Sequence, residues 1–112
     1  MKILWVLLLF VSIAVRAAFV PGTDVPLMDG LVVDENDSFS FDTPAGQIMT
    51  VSAQTTASAQ EVKAFYGESL PALGWQQVSA TQYRRDEDEI SLQISSVAHK
   101  TSVKIQMTFA NK

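Results

Sequence analysis

Residues Ser58 to Trp75 read SAQEVKAFYGESLPALGW, and this stretch decides the fold because it carries both ends of one helix. Ser58 and Glu61 stand at capping-box spacing, where the serine hydroxyl accepts from the third helical amide and the glutamate reaches back to the cap amide. Val62, Phe65, Tyr66, Leu70 and Leu73, with Ser69 beside Leu70, recur at helical spacing and define one apolar face. Pro71 is expected to bend or restart the helix near its end, since it has no N–H for the carbonyl four residues earlier. Gly74 falls where a left-handed C-terminal cap belongs, and Trp75 turns the chain back into a sheet.

Beyond Trp75 the period changes from helical to alternating. Short strands are expected at Trp75 to Val78, Gln82 to Arg85, Ile90 to Ile94 and Thr101 to Ala110. In the last of these, Val103, Ile105, Met107 and Phe109 face one way and Lys104, Gln106 and Thr108 the other, as in an antiparallel sheet with one wet face. The acidic run Asp86 to Glu89 and the polar stretch Ser95 to Lys100 are expected as turns. Ahead of the helix, Ser38-Phe-Ser-Phe-Asp42 places Phe39 and Phe41 on one face of a half-buried strand. Thr43-Pro-Ala-Gly46 supplies turn chemistry, and Gln47 to Thr55 alternates with Met49, Val51 and Ala53 on one face, which completes a hairpin. The expected fold is α+β: a single antiparallel sheet of five to six strands, in a β-β-α-β-β-β-like order, with one helix packed on one face.

The N-terminal end points to export. Lys2 is followed by the 13 residues Ile3 to Val15, apolar apart from Ser12, and Arg16 ends the run. That length suits a signal-peptide core and falls short of the roughly 20 apolar residues of a spanning helix. Val15-Arg16-Ala17 before Ala18 places cleavage near Ala17. The expected organisation is a cleavable leader over residues 1–17, an extended N-terminal arm over 18–37, rich in breakers at Pro21, Gly22, Pro26 and Gly30, and an α+β domain over 38–112. Val25, Leu27, Met28, Leu31, Val32 and Val33 give the arm enough apolar surface to dock along the domain.

Composition narrows the partners. The chain has a formal charge of −4, and loss of the leader would remove two of its eight basic residues, Lys2 and Arg16, leaving six against twelve acids. Phosphate backbones and anionic membranes would repel such a product, so no nucleic acid partner and no stable membrane insertion after cleavage are expected. The absence of cysteine rules out a disulfide scaffold and a lipid-bearing thiol. A periplasmic or secreted location follows.

Four segments, Asp24-Val-Pro-Leu-Met-Asp-Gly-Leu31, Phe41-Asp-Thr-Pro-Ala-Gly46, Phe65-Tyr66 with Leu70-Pro-Ala-Leu-Gly-Trp75, and Tyr83-Arg84-Arg85 before Glu89 and Leu92, give the chain a wider likeness. It resembles a set of small exported proteobacterial proteins of unknown function that carry a Phe-Tyr, Leu-Pro-x-Leu-Gly-Trp helix-to-strand corner. The likeness spans nearly the whole chain after the leader and implies export without assigning an activity. Asp29 stands where that set has proline, and the Asp86 to Glu89 hairpin is longer than in the set.

Catalytic chemistry is hard to find. His99 is the single histidine and lies beside Lys100 in an expected turn, so a histidine dyad or multi-histidine metal centre within one chain is excluded. Asp86 to Glu89 would fan its side chains apart at a hairpin tip, with Arg84 and Arg85 partly neutralising them, and offers no ligand ladder of the EF-hand type. Asp34, Glu35 and Asp37 around Asn36 read as a second solvated turn. Trp75, Tyr66 and Tyr83 suit core packing around the helix corner better than a groove. No nucleophile elbow or phosphate loop occurs. No catalytic, cofactor-binding or metal residue is therefore assigned, and no cofactor is expected. The leading reading is a non-enzymatic binding or accessory module for a protein or envelope component; a small carboxylate-dependent hydrolase, with or without calcium, is the alternative.

Overall fold

Residues 19, 20 and 22–111 are described by the computed structural model; the expected leader, residues 1–17, lies outside them. Seven elements follow one another: β1 (Val32–Thr43), β2 (Gly46–Thr55), α1 (Ala59–Ala72), β3 (Gln76–Ser79), β4 (Gln82–Arg85), β5 (Asp88–Val97) and β6 (Lys100–Ala110). The six strands form one open antiparallel sheet in the order β1-β2-β6-β5-β4-β3, with the single helix against one face. This is the α+β class expected, with one strand more than the minimal β-β-α-β-β-β order.

Alternation on the central strands sets the core. Antiparallel register pairs Met49, Val51 and Ala53 of β2 with Met107, Ile105 and Val103 of β6, and Ile90 and Leu92 of β5 with Met107 and Ile105. Directly paired residues share a face, so these side chains, with Tyr83, make one apolar floor. Val62, Tyr66 and Leu70 of α1 press onto it and are fully buried; Phe65 is half-buried, edge-on to Tyr66 with ring centroids 4.8 Å apart.

Both ends of α1 are built by local side chains and backbone. The Glu61 amide donates to Ser58 Oγ at 3.1 Å, and the Ser58 amide donates to Glu61 Oε1 at 2.9 Å. At the far end, the amides of Gly74 and Trp75 donate to the carbonyls of Pro71 and Leu70 at 3.1 and 3.0 Å, around a Gly74 φ of +96°. This is a Schellman motif, with Trp75 and Leu70 supplying its apolar contact. The helix continues through Pro71 without a restart and ends one residue on, at Ala72. Pro71 lies in the last turn and deprives only the Gly67 carbonyl of a helical donor.

Three loop expectations are corrected. Asp34 to Asp37 is not a turn between elements but an irregularity within β1: pairing with β2 jumps from Asp34↔Ser52 to Phe39↔Thr50. The Asn36 amide donates to Asp34 Oδ1 at 3.1 Å and Ser38 Oγ to the Asp34 carbonyl at 2.8 Å, so the extra residues satisfy one another locally. The slip reverses the strand's faces, placing Phe39 and Phe41 opposite Thr50 and Ile48 on the face away from α1, 56% and 49% exposed rather than half-buried. The other two loops shrink to two-residue hairpin turns, Asp86–Glu87 and Ala98–His99, because Arg85↔Asp88 and Val97↔Lys100 remain paired. Asp86 and Ala98 take the positive φ values, +56° and +58°, that such short turns require.

Ahead of β1, Phe19 and Pro26 form an isolated bridge, the Val20 amide donates to the Val25 carbonyl at 2.9 Å, and Val20 and Val25 are fully buried. The arm thus folds back on itself and packs beside α1 on the same face of the sheet.

Candidate functional site

The helix covers only part of the sheet's apolar face, and the arm covers another part, which leaves a cleft over β1 and β2. Its volume is about 280 Å³, at the lower edge of the roughly 300–1,000 Å³ typical of small-molecule sites. Val33, Met49 and Val51 make the apolar floor, Val20 and Leu27 of the arm one wall, and the rim carries Glu35, Ser38 and Ser40. Sequence spacing explains the floor: Met49 and Val51 continue the β2 alternation and Val33 pairs with Ala53, on the helix side. The β1 irregularity opens the mouth, since Ser38 donates to Asp34 and accepts from the Ser52 amide at 3.1 Å and does not close over the cleft.

Electrostatics at the mouth are one-sided. Glu35 is the charged residue of the lining, and no basic side chain belongs to it. An apolar body with an uncharged or cationic end fits this lining, whereas a carboxylate or phosphate would meet Glu35 without a counter-ion.

The arm that walls the cleft is fixed at two points. The Tyr66 hydroxyl donates to the Pro26 carbonyl at 2.8 Å, and burial pushes that hydroxyl up to about 12, with the Met28 backbone offsetting part of the effect. Arg85 grips Asp24 with both terminal nitrogens at 2.9 and 3.1 Å, donates to the Leu73 carbonyl at 3.0 Å, and lies 4.2 Å over the Trp75 ring. This hydrogen bond holds the Asp24 carboxyl below its ordinary range. One side chain therefore ties the arm, the helix cap and β4 together.

The opposite face of the sheet is largely polar, with the exposed Val78 and Val97 standing singly on β3 and β5 and an aromatic patch on β1. Phe39 and Phe41 stack with centroids 6.1 Å apart and interplanar angle 20°. With Ile48, Thr50, Gln93, Lys104 and Gln106 they border a shallow trough of about 360 Å³. The β1 slip places this patch on the face that the alternation of the last strand marks as wet.

The residues weighed for chemistry do not converge. His99 is exposed on its turn. Asp86 and Glu87 occupy the β4–β5 tip, Asp88 accepts from the Ala110 amide at 3.0 Å, and Glu89 pairs with Arg84 at 2.9 Å. Asp34 accepts from Asn36 within its own strand. Among the described residues no group of three or more His, Cys, Asp or Glu side chains is placed to hold a metal ion. Trp75, Tyr66 and Tyr83 are all buried, as the core reading expects. The cleft residues escaped the sequence reading because its walls come from segments that sequence spacing does not bring together.

Comparison with known proteins gives one match: the family described as START domain-like matches residues 37–108, from the middle of β1 to near the end of β6. The match covers well over half of the chain, and the chain belongs to the START domain-like family. Such domains are in general small ligand-binding modules rather than enzymes. No curated protein and no solved structure matches the chain.

Proposed function

We propose that this START domain-like chain is an exported, non-enzymatic module that holds one small envelope component, apolar with an uncharged or cationic end, in the cleft between its arm and β1–β2. The single observation that carries the reading is the lining itself: an apolar floor and wall of Val20, Leu27, Val33, Met49 and Val51 under a hydroxyl-bearing rim with Glu35 as its charge. Family membership supports binding over catalysis, and the leader-like sequence over residues 1–17 supports export. Against the hydrolase alternative, Glu35 is the one carboxylate lining the cleft, while Asp88 and Glu89 of the β4–β5 hairpin are engaged by the Ala110 amide and Arg84.

A pair of fluorescent probes tests this. A neutral naphthylamine should bind saturably, one per chain, with an emission rise, and an anionic naphthalenesulfonate of the same size should bind at least about tenfold more weakly. Ser40→Trp places an indole at the rim on an exposed strand position and should abolish the neutral probe's signal without changing the fold. Equal binding of both probes, or unchanged binding by Ser40→Trp, contradicts the assignment of the cleft.

A further inference from the structure

The two edges of the sheet are unlike each other. β3 is a four-residue edge without charge. β1 is a twelve-residue edge, and no described strand pairs with its outer side. Edge strands expose unpaired amides and carbonyls, and proteins usually blunt them with lysine, proline or a bulge. β1 has the bulge, but after it Phe39–Thr43 runs in unbroken register with β2 and carries neither lysine nor proline. Exposed apolar side chains cluster on this same strand: Val32, Phe39 and Phe41 are 70%, 56% and 49% exposed. Every charged residue on it, Asp34, Glu35, Asp37 and Asp42, is acidic and exposed.

We propose that the β1 edge is a docking site for an extended, basic segment of a partner protein, which adds as a seventh strand beside Phe39–Thr43. Backbone pairing supplies the affinity and alternate side chains the selectivity in this mode of recognition. Alternate apolar residues of the incoming strand lie next to Phe39 and Phe41 on the open face, its lysines or arginines stand beside Asp42 on the other face, and Asp34, Glu35 and Asp37 make the approach to the edge acidic. Charge decides against a second copy of this chain, because pairing β1 with β1 sets two acidic strands about 5 Å apart.

The test uses three labelled heptapeptides: alternating lysine and valine, the same with proline at the centre, and alternating glutamate and valine. Anisotropy should show one lysine–valine peptide bound per chain. Binding should fall at least about tenfold for the proline and glutamate peptides, and about fivefold or more for the double variant Asp37→Asn/Asp42→Asn. Hydrogen exchange on the saturated complex should slow at amides within Phe39–Thr43. The proposal is overturned if the lysine–valine peptide fails to bind at about 1 mM, or if the proline peptide binds as well, which would mean charge attraction without strand pairing. Protection confined to another element, or a dimer formed through β1, overturns it equally.

Discussion

Replacing Tyr66 by Phe removes one oxygen at the point where the arm meets the core, and its effect on stability should change sign with pH. At neutral pH the lost bond to the Pro26 carbonyl, 2.8 Å long and spanning 40 residues, is worth about 1 kcal/mol net, and up to ~2 kcal/mol if the half-buried carbonyl is left without a donor. Tyr66→Phe is therefore the less stable protein at pH 8. The folded hydroxyl is raised by burial from an ordinary 10.0 to about 12. Because the folded value is the higher one, its contribution is fully present below pH 10 and is lost as pH rises from 10 to about 12. At 1.36 kcal/mol per pH unit this loss reaches about 1.4 kcal/mol at pH 11 and approaches ~2.7 kcal/mol beyond it. The phenylalanine variant has no proton to lose there. Urea denaturation curves recorded in steps from pH 8 to 12 should thus show the two proteins converging and crossing near pH 11 to 12. Burial raises Tyr83 as well, but its contribution is common to both proteins. Stabilities that stay parallel to pH 12 would refute the claim that a buried Tyr66 anchors the arm.

Two further outcomes follow from the same geometry. Gly74→Ala should destabilise by about 1–2 kcal/mol in urea, since the added Cβ meets only ordinary contact with Arg85 Cδ at 3.5 Å and the cost is that of a left-handed alanine at φ +96°; an unchanged midpoint excludes the Schellman cap. Asp24→Asn should cost ~0.5–1 kcal/mol at pH 7, because the pair with Arg85 is half-exposed on the aspartate side. Arg85 lowers the folded carboxyl, so that contribution exists above the ordinary 3.8 and disappears as pH falls through the lower folded value. Melting curves at pH 7 and in acid should show the gap between the two proteins closing, and a constant gap contradicts the ion pair.

The helix and the sheet were legible because their signals are local. Ser58 and Glu61 lie three residues apart, Gly74 follows the last helical turn, and the alternation of β6 needs no distant partner to be recognised. The faces of β1 were not legible. Phe39 and Phe41 alternate correctly, but which side they occupy depends on the residues inserted between Asp34 and Phe39, and an acidic, asparagine-bearing run reads as a turn whether it ends a strand or bulges one. The turns at Asp86 and Ala98 are shorter than the sequence suggests for a related reason: polar side chains on the wet face continue a strand as readily as they form a loop. The cleft depends on still longer relations. Val20 and Leu27 come to Met49 and Val51 only after the arm folds back through Val20 and Val25 and is fixed by Tyr66 and Arg85, and apolar spacing within one segment carries no trace of that closure.

Methyl NMR of the methionines addresses the central claim most directly. Met49 lines the cleft, whereas Met107 is fully buried under the helix side of the sheet and does not line it. Titration with a neutral naphthalene ligand should shift the Met49 methyl resonance saturably, through the ring's shielding, while Met107 stays in place. Binding that leaves Met49 unmoved, or that moves both methyls together, contradicts a ligand seated between the arm and β1–β2.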